Sequence, residues 1–349
     1  MFLTTGEDDG GRRLDRILRK ALPDLPLSAL HRLLRRGLVR AGGRPLRGAD
    51  RIPPGTTLEL PGEGPVPRNR RPPSPKNGSR KDPRGANQGP PGPTGVPLGL
   101  DILWEGGGLV AVNKPPGLVV HGGERRGPRG GEEDTLERRV RAYLADGLAP
   151  SLSFRPGPLH RLDRMSGGVV VFAATLEGAQ RFSALLREGR IRKTYLAILE
   201  GALAGPETWE DELFRDRGTG KTFPRGAFPG EPPPGAVRLG GARARVRPLR
   251  SRRRGNGVYT LARLEIETGR THQIRVQAAS RGHPLAGDRK YGGGPLPNLG
   301  GPAGGGGFFL HGAELELSGG PPGFPRLLTA PPPPAFVRAL REIFGLPAF

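Results

Sequence analysis

A run of 37 residues, 62–98, limits what this chain can fold into more than any other feature. It consists mainly of Pro, Gly, Arg and Asn, with almost no apolar side chains to bury. Such a composition cannot offset the entropy of ordering and reads as a disordered basic tether. Seven basic residues, at 68, 70, 71, 76, 80, 81 and 84, face only Glu63 and Asp82. The run is thus either a simple spacer or a source of non-specific affinity for a polyanion. It divides the chain into a small module at 12–61 and a larger one at 99–349. Two domains also suit a length of 349 residues.

In the small module Leu14, Ile17, Leu18, Ala21 and Leu22 recur at the spacing of one helical face. Pro23 stops that helix. Ser28 is the expected N-cap of a second helix, with Leu30, Leu33 and Leu34 apolar and Gly37 as its stop. Residues 38–41 and 58–60 read as short strands. Between residues 12 and 47, eleven basic residues, Arg13, Arg16, Arg35, Arg36 and Arg40 among them, face only Asp15 and Asp24. Helices that bury leucines and expose arginines make a phosphate-binding face; a solvated basic surface is the other reading.

The whole chain points the same way, with a formal net charge of +22. That favours a polyanionic partner, nucleic acid first and a membrane surface second. The charge is carried by 48 arginines and only seven lysines, and the chain has 59 Gly and 41 Pro. GC-rich coding would enrich the same residues, so charge alone does not settle the partner. There is no cysteine, which excludes disulfides, thiolate-bound zinc and iron–sulfur clusters. The six histidines form no H-E-x-x-H pair, so no metal or other cofactor is expected. The acidic start, Met1 to Asp9, does not read as a signal peptide, and no apolar run is long enough to span a bilayer. A cytoplasmic location is expected.

The larger module carries the chemistry. In Pro158 to Ala173, one carboxylate, Asp163, stands between Arg161 and Arg164, with His160 three residues earlier. A Ser166-Gly-Gly turn leads into an apolar β-branched run that reads as a buried strand. An acid held among cations there is a candidate nucleophile or base, or else a member of an ordinary ion pair. Upstream, 109–113 is a strand and Lys114-Pro-Pro-Gly117 a turn, its lysine either structural or a phosphate contact. Thr175 caps a helix with Leu176, Ala179, Phe182 and Leu186 inward, ending at Gly189. Residues 193–199 form a strand whose Tyr195, Ala197 and Leu199 share a face; Tyr195 reads as core or as catalytic. Residues 216–241 and 292–307 read as loose surface segments. In 264–279 a strand enters a Thr268-Gly269 turn, and a helix runs from about Thr271 to Gly282. Arg275 falls in its first turns, against the helix dipole. That placement suggests a carboxylate or phosphate partner.

Three stretches, taken in order, resemble one family. They are Val112-Asn-Lys-Pro-Pro-Gly117, His160-Arg-Leu-Asp163 with its glycine-ended turn, and Thr268-Gly-Arg-Thr-His-Gln-Ile-Arg275. Together they resemble the RluA-type pseudouridine synthases. The small module, through Arg13-Leu14-Asp15, Ser28 to Leu33, Arg36-Gly-Leu-Val-Arg40, Gly43 and Gly55, resembles the S4 RNA-binding domain. The pairing is similar to the branch that acts on large-subunit ribosomal RNA.

The resemblance implies an α+β catalytic domain, with a mixed, mainly antiparallel sheet, flanking helices and a central RNA cleft. The S4-like α/β module would precede it. The reaction implied breaks the N1–C1′ bond of uridine and joins C5 to C1′, without redox step, metal or external energy. On the same basis Asp163 is the catalytic aspartate, attacking covalently or acting as a base on the ribose, and Arg275 is its cationic partner. Ile274 packs on the uracil, Tyr195 stacks in the pocket and takes the C5 proton, and Arg161 enters the RNA where the target base is flipped out. His160 joins the RNA-contacting set. A monomer is expected, with RNA supplying the main interface. A tRNA-directed synthase, or a non-catalytic RNA-binding or ribosome-associated protein, is the alternative. The sequence departs from the family at Met165-Ser166-Gly167-Gly168, where the family reads Asp-Thr-Ser-Gly.

Overall fold

The computed structural model describes residues 1–61, 99–122, 134–145, 147, 150–227, 230–296, 299, 301, 306–319 and 323–347. The tether expected at 62–98 lies outside the described residues, as do 297, 298, 300 and 302–305 within the loose segment 292–307. Among the described residues no helix is long and apolar enough to cross a membrane. The chain divides into two compact units, Met1–Leu98 with Asp146–Arg155, and Gly99–Ala145 with Pro156–Phe349.

The first unit contains β1 (Phe2–Thr4), β2 (Arg12–Arg13), α1 (Leu14–Ala21), α2 (Leu27–Arg35), β3 (Arg40–Ala41), β4 (Arg44–Pro45), β5 (Arg51–Ile52) and β6 (Thr57–Glu59). A four-stranded sheet runs β1-β6-β3-β4, and β2 pairs with β5. Leu14, Ile17 and Leu18 of α1 and Leu30 and Leu34 of α2 bury their stripe against Val39, Ile52 and Leu58, as their helical spacing requires. The second helix starts two residues earlier than the Ser28 cap implies. Pro26 holds the extended N-cap conformation, and its carbonyl accepts from Ala29 and Leu30. The fixed φ of proline thus sets the start, and Ser28 lies exposed in the first turn.

This unit also reaches beyond 12–61, through β1 and the fully buried Asp9. The Asp9 carboxylate accepts from the backbone of Gly6 (2.9 Å), Leu152 (2.8 Å) and Ser153 (2.9 Å), and from the hydroxyls of Ser151 and Ser153. Burial works to push this carboxyl up, but those hydrogen bonds together hold it below its ordinary value. Arg16, Arg35, Arg36 and Arg40 are exposed. Arg13 is exposed too, but its guanidinium is taken up by Asp15 at 2.6 Å.

The second unit holds β7 (Asp101–Gly106), β8 (Leu109–Lys114), α3 (Leu136–Leu144), β9 (Gly157–Pro158), β10 (Gly167–Ala173), α4 (Leu176–Arg187), β11 (Ile191–Glu200), β12 (Glu207–Asp216), β13 (Thr222–Pro224), β14 (Ala236–Arg254), β15 (Gly257–Ile266), α5 (Gln273–Ser280), β16 (Leu310–Leu317), β17 (Leu327–Thr329) and α6 (Pro334–Phe344). One eleven-stranded sheet runs β13-β12-β14-β15-β11-β16-β10-β8-β7, with β9 on β10 and β17 on β16. Every pairing is antiparallel except β10 with β16. This is the mixed, mainly antiparallel α+β architecture expected. Part of the segment read as loose, 216–241, is strand: β14 begins at Ala236 and pairs along β12. Its glycines are accommodated at a register shift beside Gly240, which has φ 93°.

Two apolar layers cover the sheet. Phe182 and Leu185 of α4 pack on Leu109, Ala111, Val169 and Val171. Thr175 caps α4 by accepting from the Gly178 amide, as expected. Leu185, and not Leu186, is the buried member of the final turn; Leu186 is exposed. Phe336, Leu340 and Phe344 of α6 pack on Ile198, Leu261 and Phe309.

Candidate active site

The loop between β9 and β10 carries Asp163 at the end of a buried strand, and it is held from below. Lys114, at the end of β8, is 1 % exposed. Its ammonium donates to the carbonyls of Pro115 (2.9 Å), Leu118 (2.6 Å) and Arg164 (3.0 Å). The Gly117 amide donates to the same Arg164 carbonyl at 2.8 Å. The lysine of the Lys-Pro-Pro-Gly turn is therefore structural: it ties that turn to the residue following Asp163. Burial pushes the ammonium down to about 7, with the Asp163 charge opposing and Arg164 adding to the effect.

Across the hollow, the Thr268 to Arg275 stretch turns β15 into α5. Gln273 organises the turn: its side-chain oxygen accepts from the Thr268 hydroxyl (2.8 Å) and the Arg270 amide (3.1 Å). Its amide donates to the Arg243 carbonyl at 3.1 Å. Helix α5 then starts at Gln273, two residues later than its spacing suggests, with Arg275 in the first turn.

Arg275 meets carboxylates, as its unfavourable position on the helix implies, but it meets two. Its Nη1 donates to Asp163 at 3.2 Å. Its Nε and Nη2 form a two-pronged contact with Asp288 at 2.7 and 2.8 Å. The Arg275 and Asp288 side chains are 8 % and 1 % exposed, and that of Asp163 is 18 % exposed. Burial works to lower the Arg275 pKa, but Asp288 and Asp163 outweigh it and raise the guanidinium above its ordinary value. The rings of Phe308 and Tyr291 lie 4.2 and 5.0 Å from its Cζ, which adds cation–π contact.

Tyr195 and Ile274, both nearly buried, line one hollow beside Asp163, of about 70 Å³. Burial first, and the Asp163 charge second, push the Tyr195 hydroxyl up, so it stays protonated as a neutral phenol near neutral pH. A second hollow of about 270 Å³ opens on the other side of the Asp163 loop, towards Val119, His121 and Phe308. Arg161 borders both hollows, is exposed, and makes no ion pair among the described residues. Five of the residues singled out from the sequence, Asp163, Arg275, Tyr195, Ile274 and Arg161, are thus brought together.

His160 is not. Its Nε2 accepts from the Val171 amide at 3.1 Å, its Nδ1 is closed off, and its ring stacks near Phe182. Burial, with Lys193 adding, pushes it down to about 3. It fastens the approach to Asp163 onto β10 and contributes nothing to the hollows. Within the Met165 to Gly168 stretch, the one glycine that matches the family is required by the fold. A Cβ on Gly168 (φ 124°) would lie 2.2 Å from the Gly312 carbonyl oxygen, so no side chain fits where β10 joins β16.

Sequence reasoning missed Asp288, His272 and Tyr291. Asp288 sits in Gly287-Asp-Arg-Lys-Tyr291, which reads only as a turn. Nothing local shows that this turn faces Arg275, thirteen residues away. His272 stood in a motif already noted, but no partner for it is visible in the sequence.

The family model described as RNA pseudouridylate synthase matches residues 108–280, the span from β8 to the end of α5. The chain is 31 % identical over 290 residues to the ribosomal large subunit pseudouridine synthase D of Xylella fastidiosa, covering 83 % of this chain and 74 % of that one. It is 31 % identical over 280 residues to an uncharacterized RNA pseudouridine synthase of Chloroflexus aurantiacus, covering 80 % and 75 %. Among solved structures, human RNA Pseudouridylate Synthase Domain Containing 4 aligns with a TM-score of 0.49 at 20 % identity, over 69 % of this chain and 92 % of that one. On these two sequence relationships, each spanning three quarters of a relative's length, the chain belongs to the RNA pseudouridylate synthase family.

Proposed function

We propose that this enzyme isomerises specific uridines of large-subunit ribosomal RNA, with Asp163 as the catalytic carboxylate. The observation that carries the proposal is the Asp163–Arg275 contact at 3.2 Å, at a hollow walled by Tyr195 and Ile274. The reaction breaks N1–C1′ and makes C5–C1′; the C5 proton leaves and N1 gains one. Asp163 is the group in reach of the ribose, whether it adds to C1′ or removes a ribose proton. Arg275, anchored by Asp288, offers Nη1 to that carboxylate without having to move. The aliphatic chain of Ile274 and the ring of Tyr195 supply largely desolvated walls for a base that must detach and turn, and the neutral Tyr195 is near enough to Asp163 to feel its charge.

Arg161 takes the place of the flipped nucleotide in the RNA. The first unit is the RNA-gripping module, S4-like, through Arg16, Arg35, Arg36 and Arg40, with Arg13 held by Asp15. The name of the Xylella relative supports the ribosomal target. In this reading the enzyme works as a cytoplasmic monomer. The test is Asp163→Asn beside wild type on large-subunit rRNA and on tRNA, with carbodiimide-stable primer-extension stops as readout. New stops should appear in the rRNA with wild type only, while RNA affinity changes less than about twofold. Stops that persist with the variant would remove Asp163 from the chemistry, and stops confined to tRNA would reassign the substrate.

A further inference from the structure

His272 stands at the rim of this site in an unusual backbone state. It has φ 57° and ψ 23°, and it is the only non-glycine with positive φ among the described residues. A left-handed histidine is uncommon and costs free energy. The residue borders both hollows that flank Asp163.

Its ring has one nitrogen engaged. Nδ1 lies 2.8 Å from the Tyr291 hydroxyl, and the two rings meet edge to face at 5.7 Å. The Tyr291 oxygen already accepts from the Thr222 amide at 2.9 Å. We assign the phenolic proton to the contact with Nδ1, which makes Nδ1 the acceptor and places the hydrogen on Nε2. Nε2 makes no hydrogen bond among the described residues. Unlike Nδ1 of His160 and of His311, it is not sealed off. Burial, together with the charges of Arg275, Lys290 and Arg215, outweighs Asp163 and holds the ring below the ordinary histidine range. In this tautomer a neutral imidazole borders the hollow with a single N–H, on Nε2.

We propose that His272 donates this Nε2 hydrogen to a carbonyl oxygen of the target uracil, making it a base-reading residue of the site. A base is the expected acceptor because the adjoining walls, the aliphatic chain of Ile274 and the aromatic ring of Tyr195, suit the face of a planar ring. A phosphate or ribose oxygen would call for the cations on the exposed side of the rim. The inference rests on the isomerase reading above.

Two substitutions separate a reader from a structural residue. His272→Asn tolerates the left-handed backbone, and its side-chain oxygen stands where Nδ1 accepts from Tyr291, but it lacks the Nε2 donor. His272→Gln places an N–H near the Nε2 position in a residue less suited to positive φ. His272→Asn should keep a melting temperature close to wild type while kcat/KM falls about tenfold, the worth of one hydrogen bond. His272→Gln should melt lower yet recover most of the rate. Activity that instead follows stability through the series would reduce His272 to a structural role.

RNA carrying 2-thiouridine or 4-thiouridine at the target, or a phosphorothioate beside it, then locates the acceptor. Under the proposal one thiocarbonyl slows wild type, and that penalty vanishes in His272→Asn. A phosphorothioate penalty with that behaviour, or none from any probe, overturns it. Wild type inactive on the unmodified RNA would instead refute the isomerase reading itself.

Discussion

Asp288 offers the sharpest test of how the site is held, because it touches Arg275 and lines neither hollow beside Asp163. Replacing it with asparagine keeps its volume but removes the charge and turns one acceptor into a donor facing a guanidinium. Removing one partner of a buried ion pair costs about 3–5 kcal/mol. Here Arg275 retains Asp163 at 3.2 Å and two aromatic rings within 5.0 Å, which argues for the lower end, about 3 kcal/mol. For a domain of this size that is a fall in Tm of roughly 6–12 °C. Freed on one side, the guanidinium can follow Asp163, and a displacement near 1 Å at a reacting centre costs about 100-fold in rate.

Thermal unfolding by circular dichroism and tritium release from 5-tritiated uridine in rRNA read the two quantities separately. Arg275→Met closes the cycle. Alone it strands Asp288, so adding Asp288→Asn should restore stability, with a coupling of about 2 kcal/mol or more. A Tm within 2 °C of wild type together with a rate within threefold would refute the view that Asp288 positions Arg275.

Two further predictions concern the frame. Burial pushes Lys114 down to about 7, whereas an unfolded lysine titrates near 10.4. Between those values the unfolded chain binds the extra proton, so stability rises with pH. In urea titrations the advantage of wild type over Lys114→Met should therefore widen from pH 7 to pH 9, and a constant gap would sink the assignment. Gly168→Ala would place a methyl 2.2 Å from the Gly312 oxygen and 2.6 Å from its nitrogen. Strain and overpacking together cost roughly 2–6 kcal/mol. Gly189→Ala, also at positive φ (67°) but with nothing within 4 Å of the added carbon, should lose only about 1 kcal/mol in denaturant; equal losses would contradict the steric account.

What the sequence revealed was local or periodic. The stripe of α1, the Thr175 cap and the strand after Gly168 follow from spacing and hydrogen-bonding chemistry within a few residues. Asp163, Tyr195, Ile274 and Arg275 were legible only because three short motifs occur in order. What escaped depended on contacts between distant segments. Asp288 looks like any turn aspartate until α5 and the 287–291 turn are brought face to face. Asp9 looks like part of an acidic start until the 151–153 backbone wraps around it. The start of α2 was missed for a different reason: Ser28 is a good cap by type, but Pro26 had already fixed the chain direction. His160 was misassigned because it stands beside Asp163 in sequence, and the chain turns its ring to the strand.

The place of β16 in the sheet has a consequence for how the enzyme comes into being. It is the strand that joins β11 on one side to β10 on the other. Gly312 lies where an added carbon would come within about 3.5 Å of both Leu162 and Tyr195. Until β16 is made, the segment carrying Asp163 and the segment carrying Tyr195 belong to two separate sheets, and β11 has an open edge. At about 5–20 residues per second, β16 leaves the ribosome on the order of ten seconds after β11. Such non-local closure is slow in its own right. The nascent chain is therefore catalytically silent and edge-exposed over that interval, and anything that stalls synthesis before residue 310 should yield a product that aggregates.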